Sequence, residues 1–337
     1  MIDLGTDYLG LRLKNPLVPS ASPLTRKLDD ARRLEDAGAA AVVMYSLFEE
    51  ELRSEEAMLD RFLLDPSIGH AESAGFMPAA HSYRSTLDHY LEQIQALKSS
   101  LEIPVVASLN GVSLSGWVEL GAELQQAGAD ALELNVYYVA GDIDQSGQQV
   151  EERYLALLEA LRARVSLPIV MKLAPQFSSL PHFVRRIEQA GAQGVSLFNR
   201  FFQPDIDLED LSINDQLKLS TSADSLLAMR WLAILHGRTR LSLAATGGVH
   251  TADDALKMLL AGADVVHMAS ALLLHGPSRL GEVLQGMVAW MEAREYASVR
   301  QLRGSLSQQH QADPSVFARD SYIRVLDSFN PPDGVWR

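Results

Sequence analysis

Several side chains that can bind ligands or move protons lie inside apolar runs of this sequence. Glu133 and Asn135 occur within DALELNV, Lys172 within PIVMKLAP, and Asn199 ends QGVSLFN. Buried segments seldom contain charged or amide side chains unless those side chains have hydrogen-bond partners. A lysine in such a run binds an anionic ligand or the edge of a cofactor ring, forms a Schiff base with a carbonyl substrate, or extends its amine to the surface as a structural residue.

The segment TGGVHTADDA is typical of a phosphate-binding turn. Gly247 and Gly248 precede a helical pattern that begins near Thr251. Glycines let backbone N–H groups approach an anion closely, and the N-terminus of a helix attracts phosphate. An ordinary tight turn has the same composition, so the position of this segment in the fold decides between the two interpretations.

The tripeptide AGA occurs four times and organises the chain. Each copy ends an amphipathic helical pattern and precedes an apolar run. We expect the glycine to end each helix, because glycine tolerates a positive φ, and the apolar run to form a buried strand. The copies are Ala37–Ala39, Ala127–Ala129, Ala190–Ala192 and Ala261–Ala263.

Four further apolar runs bring the predicted strands to eight, with helical patterns between them. Eight such units predict an α/β fold, a closed parallel TIM (β/α)8 barrel, with an open doubly wound sheet as the alternative. We expect residues 1–337 to form one domain, in which 298–337 is a C-terminal extension with an additional helix. The runs are Leu17–Ser22, Ala40–Ser46, Pro104–Gly111, Asp130–Val136, Pro168–Pro175, Gln193–Asn199, Leu241–Val249 and Asp264–Ser270.

Each predicted strand carries a polar side chain or a glycine at its C-terminal end. Because these ends form the face on which barrel enzymes build their sites, we expect one shared ligand site there, with phosphate bound after the seventh strand. The long connections 46–85 and 200–222 start at the same face and are expected to act as lids or specificity elements. The polar residues and glycines are Ser20, Ser22, Tyr45, Ser46, Ser108, Asn110, Asn135, Lys172, Asn199, Arg200, Thr246, Gly247, Gly248 and Ser270.

The composition limits the partners and cofactors. With 29 basic and 43 acidic residues the net charge is −14, which argues against nucleic acid or an anionic membrane as a partner. The absence of cysteine excludes disulfides, a thiolate nucleophile and cysteine-ligated iron–sulfur clusters. The nine histidines show no metal-binding spacing, and we expect His267 to be structural. No signal-peptide pattern or membrane-length apolar run is found, so we expect a soluble, cytoplasmic protein.

Taken in order, these segments resemble the dihydroorotate dehydrogenase family of FMN-dependent barrel enzymes. The most specific stretch, ATGGVHTADDALKMLLAGADVVHMASALLLHGP, is similar to the family's GTGGI-x-T-x-x-DA…L-x-AGA…Q-x-GTAL…GP. NPLVPSAS, ELNVYY and PIVMKLAP are similar to NP-x-x-x-ASG, ELN-x-SCPN and P-x-x-VKL-x-P. The resemblance implies a barrel with bound FMN, an oxidoreductase of pyrimidine biosynthesis, and a homodimer.

The resemblance also implies roles for single residues. Lys172 would lie near flavin N1 and O2, where a cation stabilises the reduced ring. The implied substrate ligands are Asn135, Asn199, Arg200 and Tyr45. The implied FMN ligands are Ser20, Ala21, Ser46, Asn110, Asn135, Lys172, Gly247, Gly248, Ala269 and Ser270.

The sequence departs from the family in the half of the site that binds dihydroorotate. Tyr138 stands where the family has a catalytic Cys or Ser base, and Ala140 where it has a substrate-binding asparagine. Tyr45 replaces a lysine, Glu72 an asparagine, and Arg200 a small residue. Free tyrosine has a pKa of about 10 and is a poor base at neutral pH, although a neighbouring cation would improve it.

Three functions fit these residues. The first is an FMN-dependent oxidoreductase that moves a hydride between a substrate carbon and flavin N5, with Tyr138 as acid or base, Lys172 at the flavin and Arg200 on a substrate carboxylate. Dihydroorotate is disfavoured against another cyclic or unsaturated acid. The second is an electron-transfer or regulatory flavoprotein whose partner protein supplies any iron–sulfur relay. The third is a phosphate-binding lyase or aldolase that uses Lys172 as a Schiff base.

Overall fold

Eight parallel strands form a barrel in the computed structural model, which describes residues 2–64, 84–111, 117–214, 216–317 and 322–328. Each strand lies inside one of the eight predicted runs, because a strand that is buried on both faces reads as a continuous apolar segment. In chain order the barrel strands are β1 (Leu17–Pro19), β2 (Val42–Val43), β3 (Val105–Asn110), β4 (Ala131–Asn135), β5 (Ile169–Leu173), β6 (Gly194–Leu197), β7 (Ser242–Thr246) and β8 (Val265–Met268).

The order of hydrogen-bonded strands is β1-β8-β7-β6-β5-β4-β3-β2. The two ends of this order also meet, since the N–H of Ala40, just before β2, donates to the carbonyl of Leu17 over 3.0 Å. The barrel is therefore nearly closed. This confirms the predicted TIM barrel and rules out the open doubly wound sheet.

The register of the strands brings predicted site residues to one level. Asn110 of β3 pairs with Asn135 of β4, and Asn135 pairs with Lys172 of β5. Hydrogen-bonded neighbouring strands lie about 4.8 Å apart. Three side chains predicted to bind a ligand thus start from adjacent positions at the C-terminal end of the barrel.

Helices pack around the barrel, and the predicted glycines end four of them. In the four AGA copies the glycine has φ between +97° and +128°, a conformation that favours glycine over other residues. The copies follow the first, third, fifth and seventh of the helices α1 (Leu28–Asp36), α2 (Thr86–Ser100), α3 (Trp117–Gln126), α4 (Gly147–Arg162), α5 (Leu180–Gln189), α6 (Ser225–Leu235), α7 (Ala252–Ala261) and α8 (Ser278–Ala293).

An N-terminal hairpin, which no sequence pattern predicted, covers the N-terminal end of the barrel. Its strands, Thr6–Tyr8 and Leu11–Leu13, pair antiparallel. The Thr6 hydroxyl donates to the Asp264 carbonyl over 2.9 Å, and the Leu9 N–H donates to Ser242 Oγ over 3.0 Å. The two ends of the barrel thus differ: the hairpin closes one, and the predicted site lies at the other.

The long connections after β2 and β6 contain elements of their own. After β2, a short strand (Leu47–Phe48) leads into a helix (Glu49–Leu64) that carries the acidic run. The acidic run is mostly exposed, but Glu49 itself is buried and accepts a hydrogen bond from Trp117 Nε1 over 3.1 Å. Glu72 lies outside the described residues.

After β6, an antiparallel hairpin (Asp205–Asp207 and Ser212–Asn214) and a 3-10 turn (Ser222–Asp224) precede α6. The tail packs on the barrel through its short helix Val299–Leu302, with the Gly304 N–H donating to the Leu259 carbonyl over 2.8 Å. A last helix spans Tyr322–Asp327. Within the described part of the chain, no helix combines the length and apolarity needed to cross a membrane.

Candidate active site

A cavity of about 510 Å³ opens at the C-terminal ends of the strands, a size typical of small-molecule and cofactor sites. Its wall combines the predicted polar groups of several strands, as expected for one shared site. The predicted residues on the wall are Ala21, Ser22, Ser46, Asn110, Asn135, Lys172, Asn199, Arg200, Ala269 and Ser270.

Three of the predicted ligand-binding features do not line this cavity: Ser20 after the first strand, Tyr45 after the second, and the glycine turn after the seventh. The Ser20 N–H joins β1 to β8 by donating to the Met268 carbonyl over 2.8 Å. The Tyr45 ring lies 5.1 Å from the Arg26 guanidinium and 5.0 Å from the Tyr90 ring, and burial raises the pKa of its phenol. The predicted contact of Tyr45 with substrate therefore has no counterpart in this cavity. The third of these features, the glycine turn after β7, does not line the cavity either.

The two tyrosines after β4 have different surroundings. Tyr138 donates its O–H to Gln145 Oε1 over 2.6 Å, and the Arg153 guanidinium lies 4.4 Å from its ring. Tyr137 lines the cavity; the sequence places it beside Tyr138, where the resembling family has its base, but the predicted acid–base residue was Tyr138. The predicted acid–base role of Tyr138 stays a prediction for a residue beside the cavity.

Asn135 and Asn199 form a buried pair of amides. The Asn199 side-chain NH₂ donates to Asn135 Oδ1 over 2.5 Å. This contact uses the carbonyl oxygen of the Asn135 amide and leaves its NH₂ group as a donor. The pair thus joins the ends of β4 and β6 at the cavity and presents a fixed hydrogen-bond donor to a ligand.

Lys172 is held by a carboxylate inside the barrel. Its Nζ lies 3.4 Å from Glu133 Oε1, with Glu133 fully buried and the Lys172 side chain 9% exposed. Ser108 Oγ donates to the same oxygen over 3.5 Å and contacts Ser46 Oγ at 2.9 Å. The other oxygen, Glu133 Oε2, has no hydrogen-bond partner among the described residues. Glu133 is accommodated in the strand because it faces Lys172, which keeps the ammonium group at the cavity.

His267 lies in the barrel interior near Lys172. Burial, and then the positive charge of Lys172, lowers the pKa of its imidazole to about 3. Neither ring nitrogen has a hydrogen-bond partner among the described residues, and the Tyr8 ring lies 6.1 Å away. The imidazole is therefore neutral at physiological pH. It is not on the cavity wall, and we regard it as part of the core.

The glycine turn after β7 has the backbone conformation that the phosphate motif requires. Gly247 and Gly248 have φ of +93° and +74°. The space around Gly247 is open, because no atom beyond its chain neighbours lies within 4 Å of where a Cβ would be, whereas a Cβ on Gly248 would lie 2.4 Å from Ser225 N. Nearby, Ser270 Oγ accepts a hydrogen bond from the Ser220 N–H over 3.1 Å. The turn thus offers room for an anion on one side and packs tightly against α6 on the other.

The N-terminus of α7 is less available to an anion than the sequence suggested. The helix begins at Ala252, close to the predicted start. However, Asp254 Oδ2 already accepts the N–H groups of His250 and Thr251 over 3.1 and 3.0 Å. A phosphate group would therefore depend on the glycine turn and on Ala269–Ser270 rather than on α7.

The close packing of Gly248 makes a testable prediction about stability. A positive φ costs an alanine about 1–2 kcal/mol. We expect Gly247→Ala to lower the free energy of unfolding by about that amount, and Gly248→Ala to lower it further because its Cβ meets the backbone of Ser225. Urea unfolding of both variants measures the difference. Equal losses would contradict the described packing.

The connection after β6 contributes much of the wall that no sequence pattern identified. Its length predicted a specificity element, but no periodicity showed which of its side chains turn inward. Ser22 Oγ, also on the wall, is buried and has no hydrogen-bond partner among the described residues. Among those residues no three His, Asp or Glu side chains cluster as metal ligands do. The additional wall residues are Pro23, Phe48, Tyr137, Phe201, Phe202, Gln203, Gln216, Leu217, Lys218, Leu219 and Leu273.

Comparison with known proteins gives a consistent result. The family model described as Dihydroorotate dehydrogenase matches residues 3–291. The chain is 26% identical over 312 residues to the catalytic subunit of dihydroorotate dehydrogenase B (NAD(+)) from Thermoplasma acidophilum, covering 90% of this chain and 99% of that protein. It is also 26% identical over 306 residues to the protein of the same name from Pyrococcus abyssi, covering 89% and 98% of the two chains.

A relative whose name gives fumarate in place of NAD(+) is about equally similar. Dihydroorotate dehydrogenase A (fumarate) of Lactobacillus delbrueckii subsp. bulgaricus is 26% identical over 297 residues, covering 80% of this chain and 88% of that protein. The family match covers all eight barrel strands and every residue of the cavity wall. The chain therefore belongs to the dihydroorotate dehydrogenase family and is an oxidoreductase of that type.

Proposed function

We propose that the protein is an FMN-dependent oxidoreductase that transfers a hydride between flavin N5 and a CH–CH group of a small, anionic substrate. The observation that carries this proposal is the alignment of Asn110, Asn135 and Lys172 on three adjacent strands at one cavity. Two amides and one ammonium group, side by side, suit the polar edge of a flavin ring.

The donors and the space of the site fit a flavin mononucleotide. Lys172 has one long contact, of 3.4 Å to Glu133, and Ser22 Oγ is buried on the wall without a partner among the described residues. Both groups gain hydrogen bonds from a polar ligand in the cavity. Gly247, Gly248 and Ser270 would hold the phosphate, because the turn leaves open space beside Gly247.

When bound, FMN supplies the two-electron chemistry of the reaction. Lys172 would place a positive charge beside the ring edge that becomes anionic on reduction, and Glu133 holds the ammonium group in that position. Asn135 would donate from its NH₂ group while Asn199 fixes its orientation. One of the two tyrosines after β4, Tyr137 or Tyr138, would supply the acid–base group.

The residues of the cavity wall favour a substrate that is a small carboxylic acid with an unsaturated chain or a ring. Aromatic side chains of Phe48, Phe201 and Phe202 contribute to the wall of the cavity. Arg200 is also on the wall; its guanidinium donates to the Lys218 carbonyl, and its Nε lies 4.0 Å from Asp224 Oδ1. Arg200 would bind a substrate carboxylate with its remaining donors. Dihydroorotate is a disfavoured substrate, because Ala140 offers no side-chain hydrogen bond in place of the family's asparagine.

The other two hypotheses are less well supported. The Glu133 carboxylate attracts the ammonium form of Lys172, whereas a Schiff base needs the neutral amine. An electron-transfer role requires a partner protein, and it would give bound flavin with no turnover of small acids. The named acceptors of the relatives differ, NAD(+) in one case and fumarate in another, so the electron acceptor of this protein needs a direct assay.

Titration of flavin-free protein with FMN and riboflavin tests the proposed cofactor. Riboflavin lacks the phosphate, so we expect FMN to bind about 100-fold more tightly through charge-assisted hydrogen bonds at the glycine turn. Quenching of flavin fluorescence gives both dissociation constants. Equal affinities would contradict the phosphate site, and no binding of either flavin would contradict the proposed function.

The homodimer and the cytoplasmic location stay predictions. One surface that a second copy could cover is the hairpin after β6, on which Ile206, Leu208, Leu211 and Ile213 are 63–84% exposed. A two-stranded hairpin is only marginally stable alone in water, so packing against another surface would stabilise it. We expect the wild type to sediment as a dimer and Ile206→Lys/Ile213→Lys to sediment as a monomer. A monomeric wild type in analytical ultracentrifugation would contradict the dimer.

A further inference from the structure

We infer that Tyr137, and not Tyr138, exchanges the proton with the substrate, and that the resting site is set to reduce an activated C=C bond. The inference rests on the proposed flavin chemistry and assigns its acid–base group and direction. The substrate class is an α,β-unsaturated carboxylic acid, cyclic or open. The hydrogen bonds of the two phenols differ in kind and support this assignment.

The phenol oxygen of Tyr137 is used as an acceptor. The backbone N–H of Phe202 donates to it over 2.6 Å, and the Tyr137 and Phe201 rings lie 4.2 Å apart, which fixes the ring against the loop. In the described part of the chain, the phenol of Tyr137 makes no other hydrogen bond. A phenol has one proton to donate. The Tyr137 side chain is on the cavity wall, so this proton is available to a ligand there.

The phenol of Tyr138 is used in the opposite way. It donates its one proton to Gln145 Oε1 over 2.6 Å, and Arg153 covers its ring at 4.4 Å. Tyr138 is not on the cavity wall. Proton transfer from Tyr138 to a ligand would require the Gln145 hydrogen bond to break and the side chain to turn toward the cavity.

The contact with Phe202 also favours loss of the proton during the reaction. A hydrogen bond donated to a group that becomes an anion stabilises that anion. The Phe202 N–H is already aimed at the oxygen of Tyr137 and needs no rearrangement when the phenolate forms. Lys172 and Arg200 on the same wall add positive charge to the cavity.

The direction follows from the hydrogen bond at Tyr137. Its phenol oxygen already accepts the Phe202 N–H, so the phenol has its own proton to offer to a ligand, as a general acid does. In the reduction, bound reduced FMN would supply a hydride to the β-carbon of the acid and be oxidised, and Tyr137 would give its proton to the α-carbon, so that the C=C bond becomes a single bond. Water would then reprotonate the Tyr137 phenolate. A two-electron donor such as dithionite reduces the flavin again.

The test compares Tyr137→Phe with Tyr138→Phe in the FMN-loaded protein. Each holoenzyme is reduced with dithionite without oxygen and mixed with crotonate, fumarate or 1-cyclohexene-1-carboxylate. We expect at least one acid to restore the oxidised flavin spectrum of the wild type. Tyr137→Phe should slow this step about 100-fold, the usual effect of removing a general acid, and Tyr138→Phe should change it less than about 3-fold.

A binding measurement accompanies the kinetic one. The acid that reacts fastest is titrated into the oxidised holoenzymes, and its affinity is measured from the change in the flavin spectrum. We expect Tyr137→Phe to weaken binding about 5-fold, as the loss of one hydrogen bond does, with no change in Tyr138→Phe. In D₂O, the product should carry one deuterium, on its α-carbon.

Each outcome has one meaning. A larger effect of Tyr138→Phe than of Tyr137→Phe, or equal rates for wild type and Tyr137→Phe, overturns the assignment to Tyr137. A wild-type protein that binds FMN but reacts with none of the three acids overturns the proposed direction. Failure to bind FMN would instead contradict the proposed function. Matching melting temperatures of the two variants exclude misfolding as the cause of a rate difference.

Discussion

Replacing Lys172 by Met is expected to lower the free energy of unfolding by about 3–5 kcal/mol, as removal of one partner of a buried ion pair does. The reason is Glu133, which is fully buried 3.4 Å from Lys172 Nζ. Without the ammonium group its charge keeps only the 3.5 Å hydrogen bond from Ser108 Oγ among the described residues. Chemical unfolding of wild type and variant at pH 7 measures the loss.

Two further variants show whether the pair or the lysine alone is responsible. Glu133→Gln/Lys172→Met removes both charges and should recover most of the stability, because no uncompensated charge then remains at this position in the barrel. Lys218→Met breaks an exposed ion pair with Asp205, with side chains 69% and 59% exposed, and should change stability by less than about 1 kcal/mol. A Lys172→Met protein as stable as the wild type would contradict the buried pair.

The same variants separate structure from cofactor chemistry. If Lys172 stabilises the reduced flavin, both variants that lack it should bind FMN with a lower reduction potential, by about 60 mV for a 100-fold effect on a two-electron couple. The double variant should then regain stability while the reduction potential of its bound FMN stays low. An unchanged potential would show that Lys172 serves the barrel and not the flavin.

The second large expected effect is a loss of folding stability in acid. His267 has a pKa of about 3 in the folded protein, against an ordinary value of 6.5. Between these values the unfolded chain binds the extra proton, so the free energy of unfolding falls as pH falls. Above about pH 6.5 the neutral imidazole makes its full contribution to the free energy of unfolding. Up to about 5 kcal/mol of that contribution is lost as the pH falls to 3.

We expect the stability of His267→Gln to depend less on pH than that of the wild type. Between pH 7 and pH 5 the wild type should lose about 2 kcal/mol more than the variant. Urea unfolding at several pH values measures this difference, whatever the absolute stability of the variant. The exposed His182 gives the control, since His182→Gln should follow the wild type. Parallel curves for wild type and His267→Gln would show that the imidazole is not buried as described.

The fold was predictable because its signals are local and repeated. The four AGA glycines mark helix ends by their positive φ, and the apolar runs mark strands buried on both faces. The N-terminal hairpin was missed because its strands, Thr6–Tyr8 and Leu11–Leu13, have three residues each and no distinct pattern. Its stability comes from contacts with β7 and the Asp264 carbonyl, which are distant in sequence.

The candidate site was predictable to the level of strands but not of loops. Asn110, Asn135 and Lys172 lie at or near the ends of three consecutive strands. Because consecutive strands are neighbours in the barrel, their proximity could be predicted from the strand order. Tyr137 and Tyr138 lie in the loop after β4, where no strand periodicity tells which of the two lines the cavity. Which one it is depends on Phe202, and that contact joins two loops whose shapes no periodicity specifies.

The capping box of α7 has a signature in the sequence, and it bears on where a phosphate can bind. Thr251 and Asp254 form a capping box, with the Thr251 side chain accepting from the Asp254 N–H and the carboxylate accepting from the Thr251 N–H. The spacing T-x-x-D before an apolar helix indicates this arrangement in the sequence. It moves the proposed phosphate contacts from α7 to Gly247, Gly248 and Ser270.

The central claim is that this barrel binds FMN and uses it in oxidoreductase chemistry. The most direct test is the absorption spectrum of the purified protein, incubated with FMN and separated from the excess, before and after addition of dihydroorotate without oxygen. We predict a bound oxidised flavin spectrum that persists with dihydroorotate. Bleaching would show that the family reaction is retained with tyrosines at the site, contradicting the proposed change of substrate. A protein that leaves the column without flavin would contradict the central claim itself.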